Sequence, residues 1–236
     1  MKIKAVTLDF WDTIVFYPFT EEVFMERVEH AFGIFKNYDM SFETSTMLMR
    51  SIYERFEDIW HNEKRTPTTP ESFKFVEKII GYEFEREHFD ELVSFNEKLI
   101  TEKYFNLSGE ISESIIKLSK KYKLIIISDT GFEPGREIRN ALEKYNLLDC
   151  FHYGVFSDET GYSKPDRRAF EKASELAGCD FSEMIHIGDR ESKDILGAKS
   201  VGMSAILFTG FRGDDRSDTT ADFIAETWND IVKILL

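Results

Sequence analysis

The stretch that most constrains this chain is the apolar run Ile3-Lys4-Ala5-Val6-Thr7-Leu8, which stops abruptly at Asp9-Phe10-Trp11-Asp12-Thr13. An apolar run that ends on a carboxylate reads as a buried strand handing a reactive group to the carboxyl edge of a sheet, where open α/β sheets hold their ligands. Two later runs end the same way: Leu124 to Ile127 leads into Ser128-Asp129-Thr130-Gly131, and Met184 to Ile187 leads into Gly188-Asp189. Phe151 to Phe156 and Ser204 to Phe208 read as two more strands. Between them lie helical faces: Ile111, Ile115 and Leu118; Ile138, Leu142 and Tyr145; Phe170, Ala173 and Leu176; a segment around Ala198; and Trp228, Ile231, Val232 and Leu235. Strands alternating with helices predict a mainly parallel sheet covered on both faces.

Residues 20–104 follow a different pattern. Phe24, Val28, Ala31, Phe32 and Phe35 recur at helical spacing, as do Leu48, Ile52, Phe56, Ile59 and Trp60. Thr66-Pro67-Thr68-Thr69-Pro70 is a break, with Pro70 suited to the first turn of the next helix. Phe73, Val76 and Ile80, then Phe89, Leu92, Val93, Leu99 and Ile100, complete four amphipathic helices, enough for a small bundle. The expected organisation is an α/β core of residues 1–15 and 105–236, with a helical cap of residues 16–104 inserted after the first strand. Both links leave from the edge that carries Asp9, so the cap should close over that edge and exclude water.

Composition narrows the function. Thirty basic against 44 acidic residues give a formal charge of −14, which argues against a nucleic-acid partner and against docking on anionic lipid. Any phosphate site must gather positive charge locally, from a metal, a lysine or a helix N-terminus. No apolar run is long enough to span a membrane, and the N-terminal stretch lacks the length and cleavage site of a secretion signal. Cys150 and Cys179 show no CxxC spacing and read as buried, reduced thiols. A cytoplasmic protein acting on a small molecule is expected.

Four polar clusters follow strands or the loops after them: Asp9 to Thr13, Ser128-Asp129, Lys164, and Gly188-Asp189 with Asp194. Any one strand-terminal Asp also suits a helix cap or a turn; parallel-strand ends converging on one edge turn the four into a site. In Asp9-Phe10-Trp11-Asp12-Thr13, in Ser128, in Gly161-Tyr162-Ser163-Lys164-Pro165-Asp166, and in Gly188-Asp189 with Asp194, the chain resembles the haloacid dehalogenase superfamily of hydrolases. The resemblance covers the whole core and implies a Rossmann-like parallel sheet with an all-helical cap of the family's first type. It implies Asp9 as nucleophile, with Thr13, Ser128 and Lys164 as its catalytic partners. Trp11, Ser128, Asp129 and Lys164 would meet the substrate. Mg²⁺ would be held by Asp9, Asp189, Asp194 and the backbone carbonyl of Trp11, hard oxygen donors suited to that ion.

Trp11 departs from the pattern. Family phosphatases carry there a second Asp that protonates the leaving oxygen, and an indole cannot transfer protons. Loss of a general acid typically costs ~10²–10⁴ in rate. One reading is a Mg²⁺-dependent phosphatase acting through an aspartyl-phosphate on a small phosphorylated metabolite with a good leaving group, or borrowing a proton carrier such as Asp12, Glu191 or His61. A second is a metal-free hydrolase of carbon–halogen bonds, since the family's dehalogenases also place an aromatic here. A third is a non-catalytic binder of a phospho-ligand or partner. Phosphoryl chemistry is favoured, because a two-carboxylate metal site beside a carboxylate nucleophile would be a liability without a cation. Phe16, Tyr17 and Phe19, with Trp11, could roof the site with apolar surface; the other aromatics of the insert read as bundle core. Arg50, Arg55 and Arg65 read as a solvated face.

Overall fold

The computed structural model describes residues 3–213 and 215–236; Met1, Lys2 and Asp214, and with them the first two positions of the expected core segment, lie outside it. Six strands form one sheet: β1 (Ala5–Leu8), β2 (Lys123–Ser128), β3 (Phe151–Phe156), β4 (Met184–Gly188), β5 (Ser204–Phe208) and β6 (Phe223–Ala225). Their order is β3-β2-β1-β4-β5-β6, and every neighbouring pair is parallel. The first strand in sequence is thus central in space, flanked by β2 and β4, and all four of its residues are buried. A strand buried on both faces needs a near-continuous apolar run, which is why Ala5-Val6-Thr7-Leu8 was legible.

Four helices lie between β1 and the next core helix: α1 (Glu21–Phe35), α2 (Phe42–Glu63), α3 (Thr69–Ile80) and α4 (Arg86–Leu99). The first three open on side-chain caps, Thr20, Ser41 and Thr68, each accepting from a backbone N–H of the first turn. At α3 the cap is reciprocal, with Glu71 bonding back to the Thr68 N–H and Pro70 in the first turn, as the sequence break predicts. Phe35, Met49, Phe73, Val76 and Leu92 pack into the bundle's own core.

The sheet's two faces are covered by the remaining helices: α5 (Gly109–Ser119), α6 (Gly135–Lys144), the short α7 (Ser157–Thr160), α8 (Arg167–Ala177), α9 (Leu196–Ser200) and α10 (Trp228–Leu235). Alternate strand residues point to opposite faces. Val6, Leu8, Leu124 and Ile126 pack with residues of α5, α6 and α10, such as Ile115, Leu142 and Ile231. Ala5, Ile125 and Ile127 pack with residues of α8 and α9, such as Phe170 and Ala198. β6 carried no sequence signal: it is three residues long, and Phe223 and Ile224 are exposed. Cys150 and Cys179 are unpaired, but half-buried where burial was expected, because both lie in connections at the ends of core elements. Among the described residues no helix is long and apolar enough to cross a membrane.

The helical insert is tied to the sheet by buried polar contacts. Arg27 of α1, fully buried, donates to Glu133 in the loop after β2 at 2.5 Å and to the carbonyl and side chain of Asn96 at 2.7 and 3.0 Å. Its guanidinium lies 4.4 Å from the centre of the Phe132 ring. Burial still pushes the Glu133 carboxyl above its usual range, against the pull of Arg27, so the pair offsets a desolvation cost without removing it. Near the α2–α3 connection, Thr66 bonds Ser157 at 2.5 Å, Thr69 donates to the Phe132 carbonyl at 2.8 Å, and the Ser163 N–H donates to the Lys64 carbonyl at 2.9 Å.

Removing one member of the Arg27–Glu133 pair strands a buried charge. Arg27→Met is expected to cost about 3–5 kcal/mol in urea denaturation, and the double variant with Glu133→Leu to recover much of that loss. A single variant as stable as the parent would refute the pair's structural role.

Candidate active site

The backbone N–H of Asp9 donates to the Ile187 carbonyl at 2.8 Å, one residue beyond β1, so its carboxylate emerges at the sheet's carboxyl edge between β2 and β4. The chain then turns tightly. Ile14 and Val15 both donate to the Phe10 carbonyl, and Asp12 donates to Val15 at 2.7 Å. Asp12 pays for this turn with a left-handed backbone, φ 57°. The turn buries Phe10 and Ile14 and brings Thr13 Oγ1 within 3.3 Å of Asp9 Oδ2.

A buried lysine sits against Asp9. Lys164 Nζ donates to Asp9 Oδ1 and, at 2.6 Å, to Asp194 Oδ1. Its backbone is pinned by Asp129 Oδ1, which accepts from the Lys164 N–H at 2.8 Å, and by Trp60 of α2, whose Nε1 donates to the Lys164 carbonyl at 3.2 Å. Asp194 also accepts from the Arg190 N–H at 3.0 Å and meets His186 Nε2 at 3.1 Å. His186 belongs to β4, is fully buried, and lies beside Thr7 of β1, its register partner, with Nδ1 2.8 Å from Thr7 Oγ1. Since a carboxylate can only accept, His186 carries its proton on Nε2 and accepts from Thr7 on Nδ1. Gly188 makes this approach feasible: a Cβ there would collide with the Asp194 carboxylate.

Asp9, Asp189 and Asp194 each present an oxygen, and the three atoms lie within 4.8 Å of one another. All three residues are buried. Burial pushes Asp9 up to about 7, with Lys164 opposing it and Asp194 adding to it. Burial pushes Asp189 up to about 8, reinforced by Asp9 and Asp194. Asp194 is the member held ionised: despite its burial, Lys164 and His186 keep it below the usual carboxylate range. Lys164 stays charged, because its two carboxylate partners outweigh the cost of burying it.

The structure thus brings Asp9, Lys164, Asp189 and Asp194 together, with Asp129 beside Lys164. Trp11 lines the same cavity, and its buried Nε1 has no partner among the described residues. Thr13 and Ser128 stand behind the cavity wall: the Thr13 hydroxyl is spent on Asp9, and that of Ser128 reaches only the Asp129 carbonyl at 3.5 Å. Of the substitute proton carriers, Glu191 is bound to Thr219 and Thr220, each at 2.6 Å, and His61 faces solvent beside Glu57; neither lines the cavity. Asp12 does line it, with Oδ1 accepting from the Tyr17 N–H at 2.9 Å. Arg50, Arg55 and Arg65 stay away from the cavity, on Phe24, on Phe75 and with Glu63 and Glu71.

Sequence reasoning missed Lys193 and Arg190. Both line the cavity, on the turn that also delivers Asp189 and Asp194. Lys193 Nζ lies 3.9 Å from the Trp60 ring centre and 3.5 Å from Asp129 Oδ2. The only available signal was adjacency to Asp194. The cavity itself measures about 520 Å³, and its other wall comes from the insert: Tyr17, Phe19, Ile52, Tyr53 and Phe56.

Comparison with known proteins shows the family and the fold. A family model described as haloacid dehalogenase-like hydrolase matches residues 3–202. A glyceraldehyde 3-phosphate phosphatase of Methanothermobacter thermautotrophicus is 40% identical over 92 residues, 38% of each chain. The pyrimidine 5′-nucleotidase YjjG of Escherichia coli is 29% identical over 55% of this chain and 57% of its own. The chain therefore spans only part of these curated relatives, about two fifths of the first. Among solved structures, a phosphatase from Thermococcus onnurineus superposes with a TM-score of 0.68 at 25% identity, covering 99% of this chain and 98% of its own.

The raised carboxyls set a pH dependence for the metal-free protein. Asp9 and Asp189 keep their protons to higher pH folded than unfolded, so the stability these two groups contribute is full below about pH 4 and is lost as pH rises towards about 8. In EDTA the melting temperature should therefore drop from about pH 5 to about pH 8, and Asp189→Asn should flatten that slope and raise the melting temperature at the alkaline end. Scanning calorimetry reads both; an unchanged slope would contradict the crowding of these groups.

Proposed function

The chain belongs to the haloacid dehalogenase-like hydrolases, and from that premise we propose that it is a Mg²⁺-dependent phosphohydrolase that passes a phosphoryl group through Asp9 to water. The observation that carries this reading is the buried cluster of Asp9, Asp189 and Asp194 with Lys164 at its centre. The donor set fits a divalent cation. Three buried carboxylates face one buried ammonium, with Arg190 and Arg212 only at 3.9 and 3.5 Å from Asp189, and hard oxygen donors at this spacing suit such an ion. Asp9, Asp189, Asp194 and the Trp11 carbonyl would hold it. When bound, it supplies the positive charge that lets a carboxylate and a phosphoryl group approach one another.

The chain's own groups do the rest. An Asp9 oxygen attacks phosphorus in line with the ester oxygen; the new O–P bond forms as the ester bond breaks, and the leaving oxygen departs with the electron pair. Water then attacks phosphorus, Asp9 is released as carboxylate, and both water protons remain on the product phosphate. Thr13 orients the nucleophile through its 3.3 Å hydrogen bond. Lys164 keeps Asp9 aligned and offsets negative charge at the reacting centre. Residues 16–104 act as a cap that excludes water, on a core of residues 1–15 and 105–236. Trp11 supplies no proton, so the enzyme favours esters and anhydrides whose leaving group is stable as an anion.

Phosphate release from acetyl phosphate is expected with Mg²⁺ and not with EDTA, and Asp9→Asn should lower it by at least ~10⁴. Halide release from 2-chloropropionate that ignores EDTA would overturn the assignment. Trp11→Asp should raise turnover of alkyl phosphates, whose leaving oxygen needs a proton, by ~10²-fold or more, with a much smaller change on acetyl phosphate; equal effects on both would refute the role given to position 11.

A further inference from the structure

Five rings form a continuous wall in the cavity. Trp11 meets Tyr17 edge-on with centroids 4.9 Å apart, and Tyr17 lies against Phe19 at 6.5 Å with the rings 18° from parallel. Phe19 meets Tyr53 at 5.5 Å, and Tyr53 meets Phe132 at 5.5 Å. All five line the same space as Asp9 and Lys164. The wall therefore begins two residues after the nucleophile, runs through the hinge into the insert, and ends on the loop after β2. Phe19 is 66% exposed, a large apolar ring left uncovered where the cavity opens.

Such a wall offers a polyol few partners, the unpartnered Trp11 Nε1 aside. Phe19 and Phe132 return no hydrogen bonds to a hydroxylated substrate stripped of water. The Tyr17 hydroxyl is already spent on Glu133 at 3.3 Å. A flat aromatic group gains edge-to-face and stacked contacts instead. The cavity, about 520 Å³, lies within the range that encloses a whole organic ligand.

The chemistry at position 11 points the same way. Of the lining acids outside the Asp9–Asp189–Asp194 cluster, Asp12 accepts from the Tyr17 N–H, Glu133 from Arg27, and Asp129 from the Lys164 N–H through one oxygen, while Glu57 is an exposed carboxylate 3.8 Å from His61. With an indole in place of a proton donor, the leaving oxygen departs as an anion. A phenolic oxygen does so readily, with a pKa of about 10, whereas an alcohol is far less acidic, nearer the ~15.7 of water.

We propose, resting on the phosphohydrolase reading, that the substrate is a small aryl phosphate whose ring lies against the Trp11–Tyr17–Phe19–Tyr53–Phe132 wall while its phosphate meets Asp9 and Lys164. The ester bond broken is the one between phosphorus and the phenolic oxygen, and the phenolate takes its proton from solvent after release.

Two measurements with the full chain and Mg²⁺ test this. In calorimetry, 1-naphthylmethylphosphonate should bind at least about tenfold more tightly than methylphosphonate, a gain of the size one well-packed aromatic contact gives. In turnover, kcat/KM for 1-naphthyl phosphate should exceed that for glycerol 3-phosphate by ~10²-fold or more, and Phe19→Ala should lower the ratio of 1-naphthyl phosphate to acetyl phosphate about five- to tenfold, through KM. Phe19 is exposed, so its truncation leaves the core intact. Equal binding of the two phosphonates, or a ratio unmoved by Phe19→Ala, overturns the aryl site. If acetyl phosphate is still hydrolysed in that case, the phosphohydrolase reading survives alone. If acetyl phosphate is inert while the phosphonates are discriminated, the aromatic subsite stands and the phosphohydrolase reading falls.

Discussion

The ammonium of Lys164, buried and bonded to both Asp9 and Asp194, is the contact on which the rest of the site depends. Three carboxylates buried this close repel one another and resist ionisation. One fixed positive charge reaches two of them directly; Asp189 is left with arginines at longer range and is driven upward in pKa. The protein tolerates this imbalance because each partner is held from behind: Asp9 by Thr13 and the sheet, Lys164 by Asp129 and Trp60, Asp194 by His186 and a backbone N–H.

The support reaches deep into the sheet. Thr7 and His186 are register partners on β1 and β4, and their side chains form a polar thread through an otherwise apolar interior, ending on Asp194. A histidine in a central strand is costly to bury unless both ring nitrogens are satisfied, and here both are. Burial keeps its pKa low, so the imidazole stays neutral and orients Asp194 as a donor.

What could be read beforehand follows from periodicity and its limits. Asp9, Ser128, Asp129 and Asp189 were visible because strand ends interrupt apolar runs, and parallel topology alone brings such ends together. Lys164 and Asp194 were visible through motif resemblance. Tyr53 and Phe56 were read as bundle core, since helical spacing does not tell a ring packed inside a bundle from one facing a cavity between bundle and sheet. Arg27 and Glu133 were invisible: they are 106 residues apart and meet only because α1 lies against the loop after β2. Glu191 and His61 looked like spare acids in the sequence, but a loop contact holds one and solvent surrounds the other. β6 was missed because three residues, two of them exposed apolar side chains beside one buried alanine, carry no alternation.

One anchoring arrangement links the two halves of the molecule mechanically. The segment bearing Lys164 is gripped by the insert at two successive backbone positions, the Ser163 N–H by Lys64 and the Lys164 carbonyl by Trp60. Any excursion of α2 away from the sheet pulls on the strap that carries the central cation. The seating of the insert and the balance of charge around Asp9 are therefore not separable adjustments in this protein: both hang on the same two hydrogen bonds.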